Sequence, residues 1–146
     1  MAFYHFTSRF HLDAILRSGF LMPSESNVGS PHTEAGKFFP YGEDAGPRVV
    51  WLTDTPDPVM GHGLLAHTTG KDQVRITVDV KAIRWLDWAW TSVMDPQWRE
   101  DLIHVGGGED AAAHWYIVPA PIRGTRFTDI AVRTQLGSYN SIGVRA

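Results

Sequence analysis

Between residues 74 and 80 the chain alternates without a break, Val74, Ile76, Val78 and Val80 against Arg75, Thr77 and Asp79. Successive side chains of an extended strand point to opposite faces, so this period of two predicts a strand with one buried and one polar face. Such a strand is not stable alone, and its sheet partners and covering layer must come from the rest of the chain. The chain has no cysteine, which removes disulfides as a substitute for a core and excludes a zinc ribbon and thiol catalysis. A length of 146 residues with 43% hydrophobic content supplies enough apolar material for one domain spanning residues 1–146, and too little for two.

No apolar run approaches the ~20 residues needed to cross a bilayer. The opening MAFYHFTSRF has no basic stretch followed by an apolar run, so no secretory signal is expected and the location expected is cytoplasmic. Net charge is −3 with histidine neutral, which argues against coating duplex nucleic acid by bulk electrostatics but not against a local basic groove. Aromatic residues make up 12% of the chain, including six tryptophans. They read either as core and sheet packing or as a stacking surface for a base or nucleotide.

Residues 2–7 (AFYHFT) predict a short strand rich in aromatic and β-branched types. Thr7 or Ser8 then caps a helix whose Leu12, Ile15 and Leu16 fall at i, i+3 and i+4. Gly19 closes it, because the residue after a helix often adopts positive φ, which glycine takes without strain. Residues 23–47 hold four prolines and four glycines and predict a long binding loop or lid, with Phe38, Phe39 and Tyr41 as an apolar patch. Strands are predicted at 48–53, 74–80, 115–118 and 127–132, a strand or aromatic loop at 83–90, and a helix at 95–104 with Asp95 as N-cap and Pro96 at its first position. About six short strands with two helices make an α+β pattern, not an alternating doubly wound one.

Familiar chemical motifs are absent. Gly106–Gly108 follow a predicted helix and lack the lysine of a phosphate loop, so they read as a connector. None of the seven histidines forms a metal-ligand spacing with a carboxylate, and no GxSxG elbow occurs, so no metal is expected. The segment Tyr4-His5-Phe6-Thr7 stands out instead. In a strand, His5 and Thr7 share one face with aromatics on the other, a plausible polar contact for a ligand.

YHFT followed by HLDAILRSGFL resembles the N-terminus of DarT-type ADP-ribosyltransferases, which modify bases in single-stranded DNA. GPRVVWL resembles that family's arginine-bearing segment, and HWYIVPAPI its late apolar–Val–Pro segment. The resemblance implies a split, mostly antiparallel α+β sheet with an N-terminal helix packed on it, and NAD as the substrate that donates ADP-ribose. It implies His5 and Thr7 against ribose and amide groups, Gly19 and Tyr41 beside the dinucleotide, Arg48 at the phosphates, and Trp51 and Thr53 on a second site strand. The expected acceptor is a nucleic-acid base, most plausibly in single-stranded DNA, and the implied setting is that of a toxin with an antitoxin or other regulator as partner. Where the family carries its glutamate just before Val–Pro, this chain reads His114-Trp115-Tyr116. That leaves Glu109 as the candidate carboxylate and His114 as a candidate base. Two rival readings stay open: an RNA 2′-phosphotransferase using His5, Arg48 and His114, and a non-catalytic module that binds NAD, ADP-ribose or a protein.

Overall fold

The computed structural model describes residues 2–23, 48–57, 72–91 and 96–143. The segment predicted as a loop, with Tyr41 in it, lies almost wholly outside the described residues, as does Asp95. The described residues form an α+β arrangement in which every strand pairing is antiparallel. In chain order these elements are β1 (Ala2–Thr7), α1 (Arg9–Ser18), β2 (Phe20–Leu21), β3 (Val50–Thr53), β4 (Val74–Asp79) and β5 (Ile83–Arg84). There follow α2 (Trp85–Thr91), α3 (Pro96–Val105), α4 (Glu109–Ala112), β6 (Trp115–Val118), β7 (Ile122–Arg123), a 3-10 turn (Gly124–Arg126), β8 (Phe127–Arg133) and β9 (Tyr139–Ser141). Seven strands form one sheet in the order β5-β6-β3-β1-β4-β8-β9, and β2 pairs with β7 in a two-stranded ribbon.

The alternation in residues 74–80 has the expected result. Val74, Ile76 and Val78 are fully buried, each stabilising the fold by roughly 1.5–3 kcal/mol relative to exposure. Their face is continuous across the sheet, because β1 pairs Phe3, His5 and Thr7 with Val78, Ile76 and Val74. Phe3, Val50, Leu52 and Ile130 join this core, and Leu21 and Ile122 cover it from the β2–β7 ribbon. From α1 only Leu12 and Ile15 pack against it, while Leu16 is 46% exposed. The expected three-residue apolar stripe is therefore two residues wide, since the helix meets the sheet along a narrow line.

The opposite face carries a second core under β5, β6 and β3. Val49, Trp115 and Ile117 pack there against Trp85 and Ala89 of α2, Leu102 of α3, and Ala111 and Ala112 of α4. The segment 83–90, expected as a strand or loop, is two residues of strand followed by a helix. Its aromatics suggested β structure, but Trp85 and Ala89, four apart, are both fully buried on one helical face.

Ser8 is the α1 N-cap, its side chain accepting from His11 N at 3.3 Å, and Gly19 ends the helix with φ 77°. Gly106 closes α3 against the second core. A Cβ there would stand 2.3 Å from Trp115 Cη2 and 2.8 Å from the Leu102 carbonyl oxygen. Gly106→Ala should therefore cost about 1–3 kcal/mol of stability through overpacking, read as a lowered urea midpoint with an unchanged m-value.

Candidate functional site: a cavity between the first strand and the first helix

A cavity of about 370 Å³ opens between the end of β1, the inner side of α1 and β2. Its polar lining comes from His5, Thr7, His11 and Ser18, and its apolar lining includes Ile15, Phe20, Leu21 and Met22. The strand–helix–strand connection at the start of the chain thus builds nearly all of it. His11, Ala14, Ile15 and Ser18 recur at helical spacing, and the stripe shares Ile15 with the pair, Leu12 and Ile15, that anchors α1 to the core.

Two groups in the lining define what it can recognise. Thr7 is only 5% exposed, yet its hydroxyl makes no hydrogen bond among the described residues. As part of the cavity lining, this hydroxyl is open to a hydrogen bond from a ligand atom. His5 Nδ1 lies 2.9 Å from the Trp51 carbonyl oxygen on β3. A carbonyl oxygen only accepts, so Nδ1 carries the proton, and Nε2 is the acceptor atom of the neutral ring. The Ser18 hydroxyl is tied to backbone instead, near the Ile15 and Phe20 carbonyls and the Phe20 amide, each at 3.2 Å.

The remaining expected site residues divide by place. Gly19 ends α1 next to this cavity, its carbonyl accepting from Gly124 N at 2.7 Å. Tyr4 pairs with Thr53, and carrying that antiparallel register along puts His5 level with Leu52 and Thr7 level with Val50. Arg48, exposed and just before β3, therefore sits at the Thr7 end of the sheet. Trp51 meets the cavity residue His5 through its carbonyl only. Its ring belongs to the opposite face, packed against the second core with its centroid 6.4 Å from that of Trp85. Thr53 shares that opposite face with Tyr4 and lies at the other end of β3.

Glu109 and His114 also lie at that far end. Glu109 is exposed in the first turn of α4, and His114 immediately precedes β6, whose Trp115 pairs with Thr53. His114 Nδ1 is 2.7 Å from Asp54 Oδ1, and the His114 carbonyl oxygen accepts from Asp54 N at 3.3 Å. Thr55 adds its amide to the Thr53 hydroxyl at 3.2 Å. These contacts fasten the turn after β3 to the start of β6. With the two side chains 48% and 34% exposed, the pair is worth about 1 kcal/mol or less. Sequence reasoning missed Asp54, because only the strand register reveals it.

It also missed Tyr116. Leu52 pairs with Tyr116, so the tyrosine stands on the cavity-side face level with His5, two strand spacings or about 10 Å away. Its ring packs on Phe3 at 4.6 Å. The signal was present, since Tyr116 and Val118 share one parity in β6 and Trp115 and Ile117 the other.

On the other face of β1, Arg75 lies over the rings of Tyr4 (5.6 Å) and Tyr139 (4.7 Å) and donates to the Pro56 carbonyl at 3.0 Å. Tyr139 donates to the Asp72 carbonyl, and Arg133 pairs with the Asp72 carboxylate. Burial, the largest cause, pushes the Tyr139 phenol up to about 12, opposed by nearby Arg133. The folded state thus favours the protonated phenol, and the stability this gives is present below pH ~10 and lost as pH rises through about 12. Alkaline titration of urea stability should show this loss, and Tyr139→Phe should remove most of it.

Among the described residues no group of three histidine, cysteine or acidic side chains is placed to hold a metal ion, and no helix is long and apolar enough to cross a membrane. The fold and cavity define a class: an α+β protein with an antiparallel sheet and a cleft large enough for part of a nucleotide-sized ligand. No protein-family model, curated protein or solved structure matches the chain.

Proposed function

We propose that this chain is an NAD-dependent ADP-ribosyltransferase with the split-sheet fold of that superfamily, acting on a nucleic-acid base, single-stranded DNA first among the candidates. The observation that carries the reading is the pairing of Thr7 with His5 in the cavity lining, a hydroxyl with no hydrogen bond among the described residues beside an imidazole whose Nδ1 is fixed on the Trp51 carbonyl. A dinucleotide offers groups of matching chemistry: ribose hydroxyls and an amide for the polar lining, and flat rings for the walls made by Ile15, Phe20 and Leu21.

In the reaction the bond between the nicotinamide nitrogen and ribose C1′ breaks, and its electron pair leaves with nicotinamide. A base nitrogen or oxygen of the acceptor then bonds to C1′, and the proton it sheds passes to a base or to water. Positive charge develops on the ribose in between, and an anion nearby lowers the barrier. His5 and Thr7 would hold the dinucleotide, with Arg48 at the same end of the sheet suited to its phosphates.

Tyr116 stands at the strand position facing the cavity side just before the Val118–Pro119 pair, and Glu109 lies at the far end of the sheet. A phenol donates a hydrogen bond but is not the carboxylate that such transfer calls for. That observation favours a second reading, in which the domain binds NAD or ADP-ribose without transferring it.

Incubation with labelled NAD and separate pools of single-stranded DNA, RNA and protein, followed by mass analysis, decides between them. Transfer predicts one pool gaining ADP-ribose with release of nicotinamide. Calorimetric NAD binding without release supports the binding module, and no NAD binding overturns both. Thr7→Val should weaken NAD binding about tenfold, the worth of one buried hydrogen bond, while leaving the thermal midpoint nearly unchanged.

A further inference from the structure

Within a net charge of −3, the described residues segregate their charges across the sheet. On the cavity side, α1, the β2–β7 ribbon and the 3-10 turn carry Arg9, Arg17, Arg123 and Arg126, all exposed, against a single carboxylate, Asp13. On the other side, α2, α3 and α4 carry Asp87, Glu100, Asp101, Glu109 and Asp110 against one arginine, Arg99, which is 7% exposed. A surface of one sign beside a concave site concentrates ligands of the opposite sign.

The same side presents an aromatic ring to water. Phe10 is 85% exposed, with His11 edge-on to it at 5.4 Å, and His11 lines the cavity. Residues 10, 13, 14 and 17 fall on one stripe of α1, so Phe10 and Arg17 stand about 10 Å apart along the helix with the small Ala14 and the lone carboxylate Asp13 between them. Ala14 is itself a cavity residue, so the stripe runs along the cavity rim.

We propose that this stripe is a docking track for single-stranded nucleic acid, with a base stacked on Phe10 and phosphates held by Arg9, Arg17, Arg123 and Arg126. The combination selects the partner. Arginines answer phosphates, a flat exposed ring answers an unstacked base, and both are needed where a strand is held without base-edge readout. A duplex offers no free base face, and a docking protein would want more apolar area on this stripe than one ring and an alanine. The assignment rests on the transferase reading only for its purpose, which is to bring the acceptor to the cavity rim.

The test measures binding by the full chain in the absence of NAD, using fluorescence anisotropy of labelled oligo(dT) and oligo(rU) and of duplex DNA of equal length. Either single strand should bind more tightly than the duplex, and which one binds identifies the acceptor's sugar. Four neutralised phosphates give a slope of log affinity against log salt of about −3. Phe10→Ala should weaken binding about tenfold and leave the slope unchanged. Arg17→Ala and Arg123→Ala should each reduce the slope by about 0.7, while Arg84→Ala, on the edge strand β5, should alter neither quantity. Undetectable strand binding, a Phe10→Ala variant with wild-type affinity, or an equal loss with Arg84→Ala overturns the proposal. Poly(glutamate) competing as well as oligo(dT) overturns it in favour of an acidic protein partner. Calorimetry with NAD on the same preparations keeps this outcome separate, because a track without an NAD site, or an NAD site without a track, each gives its own pattern.

Discussion

Everything about the cavity depends on β1 being held on both sides. It pairs with β4 through six consecutive residues and with β3 on its other edge, so a slip of one position would turn Phe3, His5 and Thr7 away from their core. The hydrogen bond from His5 to the Trp51 carbonyl adds a side-chain tie along the β3 edge. The parity of this one strand therefore fixes which polar groups reach the cavity and which aromatic groups, Tyr4 and Phe6, face Arg75 and Tyr139.

The two faces of the sheet are built to different standards. The second core encloses Trp85 and Trp115 with ring centroids 5.1 Å apart, and the indole N–H groups of Trp51 and Trp115 are buried there without a partner among the described residues. Large apolar area outweighs that unmet hydrogen bonding. The cavity side is thinner, with a helix of which no residue is fully buried, held through Leu12, Ile15 and its capped ends. The tryptophan-rich core lies behind β3 and β6, and the cavity lies on the side that, among the described residues, has the lighter cover.

The strands that could be read from sequence were those whose burial alternates or whose apolar run is continuous: β1, β3, β4, β6 and β8. The capped helix α1 was legible for the same local reasons, Ser8 before it and Gly19 after it. The short elements β2, β5, β7 and β9 are two or three residues long and exist only because a neighbour supplies their hydrogen bonds. No window of sequence encodes that. The same limit applies to the site. His5 and Thr7 shared a face by strand parity alone, whereas the distance of His114 and Glu109 from them follows from β6 running antiparallel to β3, a long-range fact. Tyr116 falls between these cases, since its parity was readable but its level with His5 was not.

Charge segregation and the missing carboxylate are one property seen twice. In β6 only positions 116 and 118 face the cavity side, since 115 and 117 are packed against the tryptophan core. An anion delivered from this strand to a reacting ribose would have to stand at 116, and there Tyr116 stacks on Phe3 instead. A carboxylate at that point would share its side of the sheet, among the described residues, with the arginines of α1, the ribbon and the 3-10 turn, Asp13 being the lone acid in those elements. It would be stabilised by those arginines and would compete with phosphates for them. With a tyrosine at 116, no carboxylate from β6 competes for those arginines. Binding a phosphate and steadying a developing cation thus place opposed electrostatic demands on one face of a sheet.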